Sequence, residues 1–354
     1  MNENINILNK MLNSQVSSLD VYQTTPYWKF YEDRFIHYLQ KNSLINFRNG
    51  NYKKGGEVLH SFGASDILQN NTPNLLFRFL RAGLRIIGIR NKHWMLNNKY
   101  FLKGDEKEIL KQYFDNVYNL ASKEDLNLLN YSTNLIGNPH SYIKIDNNIY
   151  TEKFLKDFIR FIEIKKLYAP TKNQTIVELG SGSGKLIEIL VQHYDEYTKF
   201  ILVDLPTQLY TAYTYLSNVF PDKCFSYEDN EKNINLDKPG IYFLTNNQIE
   251  KLSDVSINLF ISIENLDEME EETVKHYLNK IKNNAENIFL IQKDGGLKKS
   301  VLRKLLNNPS INTSIPYSLY FTILKDYILL LNSDALNPDL SKFKNYKNLF
   351  FKST

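Results

Sequence analysis

Apolar residues recur at helical spacing through the first half of the chain, and in short blocks bounded by turn formers through the second. Thr25-Pro26 has the form of an N-cap followed by a first-turn proline, and it opens a helix with Trp28, Tyr31, Phe35 and Leu39 at helical spacing. A second helix, NLLFRFLRAGLRIIG, is predicted after Asn71-Thr72-Pro73. Asp105 can cap a third, with Leu110, Phe114, Val117 and Leu120 on one face. Ser122 to Asp125 reads as the capping signal of a short fourth. Residues 136–150, IGNPHSYIKIDNNIY, are rich in turn formers and read as a structured loop. Residues 151–168 form a strongly amphipathic helix that stops at Ala169-Pro170.

From residue 174 the pattern alternates between strand and helix. Strands are expected at 174–179, 200–204, 223–228, 256–262 and 287–292, with helices at 184–194, 206–219 and 270–284. Such alternation implies a parallel sheet with right-handed crossovers. YSLYFTIL and YILLLN, joined at Lys325-Asp326, predict an antiparallel hairpin at the end. The expected class is α/β: a Rossmann-like, mostly parallel sheet with a C-terminal antiparallel hairpin, preceded by a mainly helical N-terminal domain. The boundaries fall at 1–150 for the helical domain, 151–172 for a connecting helix and 173–354 for the sheet domain.

Length agrees with that division, since 354 residues suit a core domain plus an appended one. A net charge of +4 is too small to argue for a general nucleic-acid binder. The 24 Tyr and 21 Phe are many; most read as core filling, and the functional alternative is stacking on sugar rings or bases. Cys224 is the only cysteine, so neither an intramolecular disulfide nor a thiolate metal cluster can form, which fits a reducing compartment. The N-terminus lacks a secretory pattern, and no stretch approaches the ~18 to 20 consecutive apolar residues of a membrane span. A cytoplasmic protein is expected.

The most informative stretch is TIVELGSGSGKLIEIL, residues 175–190. A phosphate-binding P-loop needs four residues between its first glycine and the Gly-Lys pair, then Ser or Thr. Here three residues separate Gly180 from Gly184-Lys185, and Leu186 follows. A dinucleotide turn wants its third glycine one residue later, where Lys185 stands. What remains is E-x-G-x-G-x-G: Glu178, Gly180, Ser181, Gly182 and Gly184 around a backbone that a ligand can approach closely. A carboxylate before the glycines suits a cationic group such as the ammonium of S-adenosylmethionine, and suits a pyrophosphate poorly. Asp204, ending the second strand and followed by Leu205, is placed to accept ribose hydroxyls. Glu228 or Asp229, at the end of the expected third strand, would read the adenine amino group, and Glu264 after the fourth strand would line the same site. The expected cofactor is S-adenosylmethionine, leaving as S-adenosylhomocysteine; another nucleotide or a degenerate site is the alternative.

With these residues in hand, the chain resembles a family of sugar O-methyltransferases within the class I S-adenosylmethionine-dependent superfamily. IGNPHSYIKIDNNIYT (136–151) is similar to the family's Gly-Asn-Pro segment before the linker helix. IENLDEM (263–269) is similar to its short polar segment ending in Glu-Met, with Asn265 and Asp267 in place of Ser and Gln. The Trp28 helix and Asn46-Phe47-Arg48 resemble its N-terminal region. The resemblance implies the class I methyltransferase fold and a sugar hydroxyl as acceptor, on a surface polysaccharide, lipopolysaccharide or glycosylated metabolite.

Methyl transfer from a sulfonium is an in-line displacement, and a sugar hydroxyl needs a general base in reach. In open α/β sheets the crevice lies beyond the carboxyl ends of the strands. Asp267 and Glu268 are base candidates there, although acids at this position also favour the N-terminus of the next helix. His140, after Asn138-Pro139, is the other base candidate. Asn138 and Tyr142 in that segment are candidate acceptor contacts. Arg78 and Arg81 are a solvated helix face or a phosphate reader for a nucleotide sugar. Asp267, Glu268 and a histidine could hold a divalent ion, but no ligand spacing demands one and metal stays unassigned. The expected partner is a sugar or glycan, with no nucleic acid in the leading reading and homo-oligomerisation left open. The competing functions are RNA or protein methylation, and a non-catalytic S-adenosylmethionine-binding partner on the same fold.

Overall fold

The computed structural model describes residues 5–16, 18–40, 42–48, 106–129, 134–139, 142–169, 171–194, 196–230, 234–296, 313–336 and 342–354. The helix expected after Pro73 and its neighbour's cap, Asp105, lie outside these. The helices are α1 (Ile5–Val16), α2 (Pro26–Leu39), α3 (Glu106–Leu120), α4 (Lys123–Leu129), α5 (Glu152–Leu167), α6 (Lys185–His193), α7 (Pro206–Val219), α8 (Tyr227–Asn230), α9 (Glu271–Ile281) and α10 (Tyr317–Ile323). Strands β1 (Ile143–Ile145) and β2 (Asn148–Tyr150) make a small antiparallel hairpin. The main sheet contains β3 (Thr175–Leu179), β4 (Lys199–Asp204), β5 (Gly240–Thr245), β6 (Ile257–Ile263), β7 (Ala285–Lys293), β8 (Tyr327–Leu336) and β9 (Lys342–Ser353).

Capping chemistry sets several helix starts. The Thr25 hydroxyl accepts from the Trp28 amide at 3.4 Å with Pro26 at the first helical position, so α2 begins where the sequence placed it. Thr151 accepts from the Phe154 amide at 3.3 Å and starts α5. Ser122 and Asp125 hydrogen-bond reciprocally at the start of α4.

The seven strands run in the order β5-β4-β3-β6-β7-β9-β8. β3 to β7 are mutually parallel, and β9 is antiparallel to both β7 and β8. Alternate residues serve opposite faces. Ile176, Leu202, Phe243, Ile261 and Phe289 join one apolar cluster, which also contains residues of α5, α6 and α7 together with Met11, Phe35, Leu110 and Phe114. Val177, Val203, Leu244, Phe260 and Leu290 join a second, with Val274 and Leu278 of α9 and Tyr22. The chain lays β3, β4 and β5 outward to one edge, then returns to the other side of β3 as β6. That reversal falls between β3 and β6, and in open α/β sheets the ligand position lies beyond the carboxyl ends of the strands at such a point.

Three expectations need correction. Residues 143–150, read as loop, form the β1–β2 hairpin. Residues 223–228 do not form the third strand: Cys224 makes an isolated parallel bridge to Ile241, and the strand is β5. Gly240 explains the tight fit, because its φ is +143° and a Cβ there would lie 2.5 Å from the Lys223 carbonyl oxygen. YSLYFTIL is helical as α10, so the terminal hairpin is β8–β9, one element later. Tyr320 and Leu324, at i and i+4, are buried in the second cluster, a helical period within an apolar run too short to classify by pattern alone.

Candidate functional site

β3 carries Glu178 near its carboxyl end, and the chain then turns through three glycines with positive φ. The Gly180 amide donates to the Val203 carbonyl at 2.8 Å, which ties the turn to β4. The Gly182 amide donates to Asp204 Oδ2 and the Leu205 amide to Asp204 Oδ1, both at 2.7 Å. A Cβ on Gly184 would meet Leu216 Cδ1 at 2.7 Å, so this glycine lets α6 lie against α7. A Cβ on Gly182 would meet nothing within 4 Å. The middle glycine therefore borders open space while its neighbours serve packing. Asn265 roofs Gly180, donating to the Leu179 carbonyl at 3.3 Å. Ser181 is buried within the turn.

Glu178 is 4 % exposed, and its Oε2 has no hydrogen-bond partner among the described residues. Burial and the nearby Asp157 charge push its pKa up to about 8, with Lys153 pulling the other way. Burial pushes Asp204 up to about 7 despite the two backbone donors. Two adjacent strands thus end in buried carboxyls that favour a cationic or hydroxyl-bearing ligand.

The charged stripe of α5 forms a wall that the sequence pattern did not reveal. Lys153 pairs with Asp157 at 2.8 Å, and Lys156 with Glu264 at 2.8 Å. Arg160, fully buried, contacts Glu163 at 3.1 Å and approaches Glu264 at 3.8 Å. Burial opposes the charge on Glu264, yet Lys156 and Arg160 hold its carboxyl below the usual range. Glu264 adopts a φ of 54° where β6 breaks off. Lys153, Lys156, Asp157 and Arg160 follow an i, i+3, i+4, i+7 spacing that alone reads as a solvated face.

Beyond β6, Leu266–Glu268 form one short 3₁₀ turn. Asp267 is fully buried: its amide donates to Gln292 Oε1 at 3.2 Å, and its carbonyl accepts from the Thr313 hydroxyl at 2.5 Å. Burial and Glu264 raise its pKa to about 7. Glu268 is partly exposed and accepts from Trp28 Nε1 at 3.1 Å. Burial, then the charges of Asp267 and Glu264, push it up to about 8, while the Trp28 hydrogen bond acts in the opposite sense. Of the two acids, Glu268 is the one that solvent reaches.

Glu178, Gly180, Gly182, Asp204, Leu205, Glu264 and Glu268 therefore lie at the carboxyl ends of β3, β4 and β6, with Asp267 sealed in the core next to Glu268. Glu228 does not sit at a strand end: it lies on α8 and pairs with Lys10 of α1, with both side chains exposed. The strand that ends beside Asp204 is β5, at Thr245. The Pro239-Gly240 pair that opens GIYFLT was the signal for it. Asn138 is exposed with a φ of 49° and donates to Asn46 Oδ1 at 2.9 Å; Tyr142 is exposed just before β1. His140, Arg78, Arg81 and the Asp229 side chain lie outside the described residues.

Lys185 points away from the site. Its Nζ lies 2.7 Å from Glu188 Oε2 and contacts the Tyr215 hydroxyl, which donates to Glu188 Oε2 at 2.8 Å. Burial, with Arg48 nearby, lowers the Lys185 pKa to about 7. This lysine belongs to the core. Among the described residues, no group of three or more His, Cys, Asp or Glu is arranged to hold a metal ion, and no helix is long and apolar enough to cross a membrane.

No protein-family model matches the chain, and no curated protein matches it. Solved structures similar to it include magnesium protoporphyrin IX methyltransferase from Synechocystis PCC 6803 with bound SAH, at 13% identity and a TM-score of 0.39, covering 55% of this chain and 80% of that one. A SAM-dependent methyltransferase from Aquifex aeolicus is similar at 12% identity and a TM-score of 0.38, over 54% of this chain and 88% of that one. Human N-acetylserotonin methyltransferase in complex with SAM is similar at 15% identity and a TM-score of 0.29, over 51% and 47%. Strand order and direction define the fold: a Rossmann-like, mostly parallel sheet closed by an antiparallel hairpin.

Proposed function

We propose that this chain is an S-adenosylmethionine-dependent O-methyltransferase whose acceptor is a sugar hydroxyl of a glycan. The observation that carries the reading is the buried Glu178 carboxyl, whose Oε2 has no hydrogen-bond partner among the described residues, beside the open space at Gly182, with Asp204 on the neighbouring strand. Glu178 would take the ammonium of the methionyl group, and Asp204 the ribose hydroxyls through lone pairs its two backbone donors leave over. Gly180, Gly182 and Gly184 let the backbone approach; Leu205 and Glu264 lie at the same end of the sheet. When bound, S-adenosylmethionine supplies a methyl group on a positively charged sulfur. Glu268 would accept the acceptor's O–H proton as the new C–O bond forms and the C–S bond breaks, the electron pair going to sulfur. Asp267 is sealed in the core and contributes negative charge that keeps Glu268 basic. The sugar acceptor follows from the resemblance of 136–151 and 263–269 to sugar O-methyltransferases. Mass spectrometry of surface glycans from a deletion strain tests it. Loss of one methylene mass from one sugar supports the reading, and an unchanged glycan counts against it.

A further inference from the structure

Glu268 stands among like charges. Asp267 precedes it, Glu264 closes β6, Asp204 closes β4, and the Tyr346 hydroxyl of β9 is coupled to it electrostatically. A carboxylate in such company gains little orientation from ion pairing, and the charges of Asp267, Glu264 and Asp204 disfavour its ionised form. What fixes it is the indole N–H of Trp28, 3.1 Å from Oε2. Trp28 is well held for that task. It is the third residue of α2, behind the Thr25 cap and Pro26. Its ring is held edge-on by Tyr27 at 5.4 Å and lies against Tyr31 at 5.9 Å. An indole N–H is a donor only, so this contact specifies an oxygen that must accept.

We propose that Trp28 is a positioning residue for Glu268: α2 holds Oε2 and turns Oε1 toward the acceptor hydroxyl. The inference rests on the methyltransferase reading for its role in catalysis, but the contact can be tested without an acceptor. It also gives the N-terminal helix a chemical part in the site, because the base is set only when α2 is docked. The hydrogen bond favours the ionised carboxyl, so removing it raises the pH at which Glu268 becomes a base.

The chain has two tryptophans, Trp28 and Trp94. In a Trp94→Phe background, Trp28 emission is expected to change with pH in a step whose main component follows Glu268, whose pKa burial and the coupled Asp267 charge raise. Glu268→Gln mimics the protonated carboxyl that burial favours, and it should fold and abolish that component. A main component that survives Glu268→Gln, or emission that does not respond to pH in the parent, overturns the inference. Trp28→Phe keeps the packing and loses the donor. It should move the pH–rate profile upward by about one unit without changing KM for S-adenosylmethionine; an unmoved profile leaves Trp28 a packing residue and overturns the role. Calorimetry with S-adenosylhomocysteine on the same proteins separates the claims. No binding there removes the methyltransferase reading, whereas pH-invariant Trp28 emission removes this inference alone.

Discussion

Glu178 keeps its proton far more tightly in the folded chain than an ordinary carboxyl does, with a pKa raised from 4.5 to about 8. By linkage this group adds stability at low pH, and that contribution is lost as pH rises from about 4.5 to about 8. A cationic ligand reverses the penalty, which is the physical sense of burying a carboxyl at a binding site. Glu178→Gln should therefore raise the melting temperature of the ligand-free protein at pH about 9 by several degrees. The same change should weaken S-adenosylmethionine binding at least about tenfold by calorimetry. Glu268 obeys the same sign, so turnover should increase with pH up to and through about 8. Glu268→Gln should lower kcat by ~10²- to 10⁴-fold in a methyl-transfer assay.

The glycine turn shows what was legible at the level of elements. The E-x-G-x-G-x-G spacing identified the junction and its ends within a residue or two, because strand, turn and helix each left a local signature. It did not reveal that the three glycines differ. Gly184→Ala places a methyl against Leu216 in a left-handed backbone, and should cost ~1 to 2 kcal/mol of strain plus ~1 to 3 of overpacking. Gly182→Ala meets only the strain, but its methyl enters the open space, so it should spare most stability and lose cofactor binding. Thermal melts and calorimetry on the two variants check that contrast. The charged stripe of α5 was hidden for a related reason: periodicity gives a face, and only packing decides whether that face meets water or Glu264. Residues 223–228 misled because a short stretch bearing Cys224, Phe225 and Tyr227 beside a sheet resembles a strand within it, whereas Gly240 at β5 records the close approach. α1 went unread because Ile7, Leu8 and Met11 sit in an asparagine-rich terminus.

In the whole molecule, α1, α2 and α3 share an apolar cluster with the sheet. Met11 and Ile187 are both fully buried in it although 176 positions apart in numbering (187 − 11). Met11→Ala and Ile187→Ala should each cost ~2 to 5 kcal/mol and should lower one and the same calorimetric transition. Two separated transitions would mean that the N-terminal helices melt apart from the sheet. The division into an acceptor-selecting helical domain and a sheet domain remains a proposal, and it concerns roles more than separate cores. The central claim is the identity of the ligand that meets Glu178 and Asp204. Its most direct test is isothermal titration of S-adenosylmethionine into the purified chain, beside Asp204→Asn. The account predicts saturable binding, weakened at least about tenfold by the substitution. No binding at millimolar cofactor, or affinity indifferent to Asp204, would contradict it.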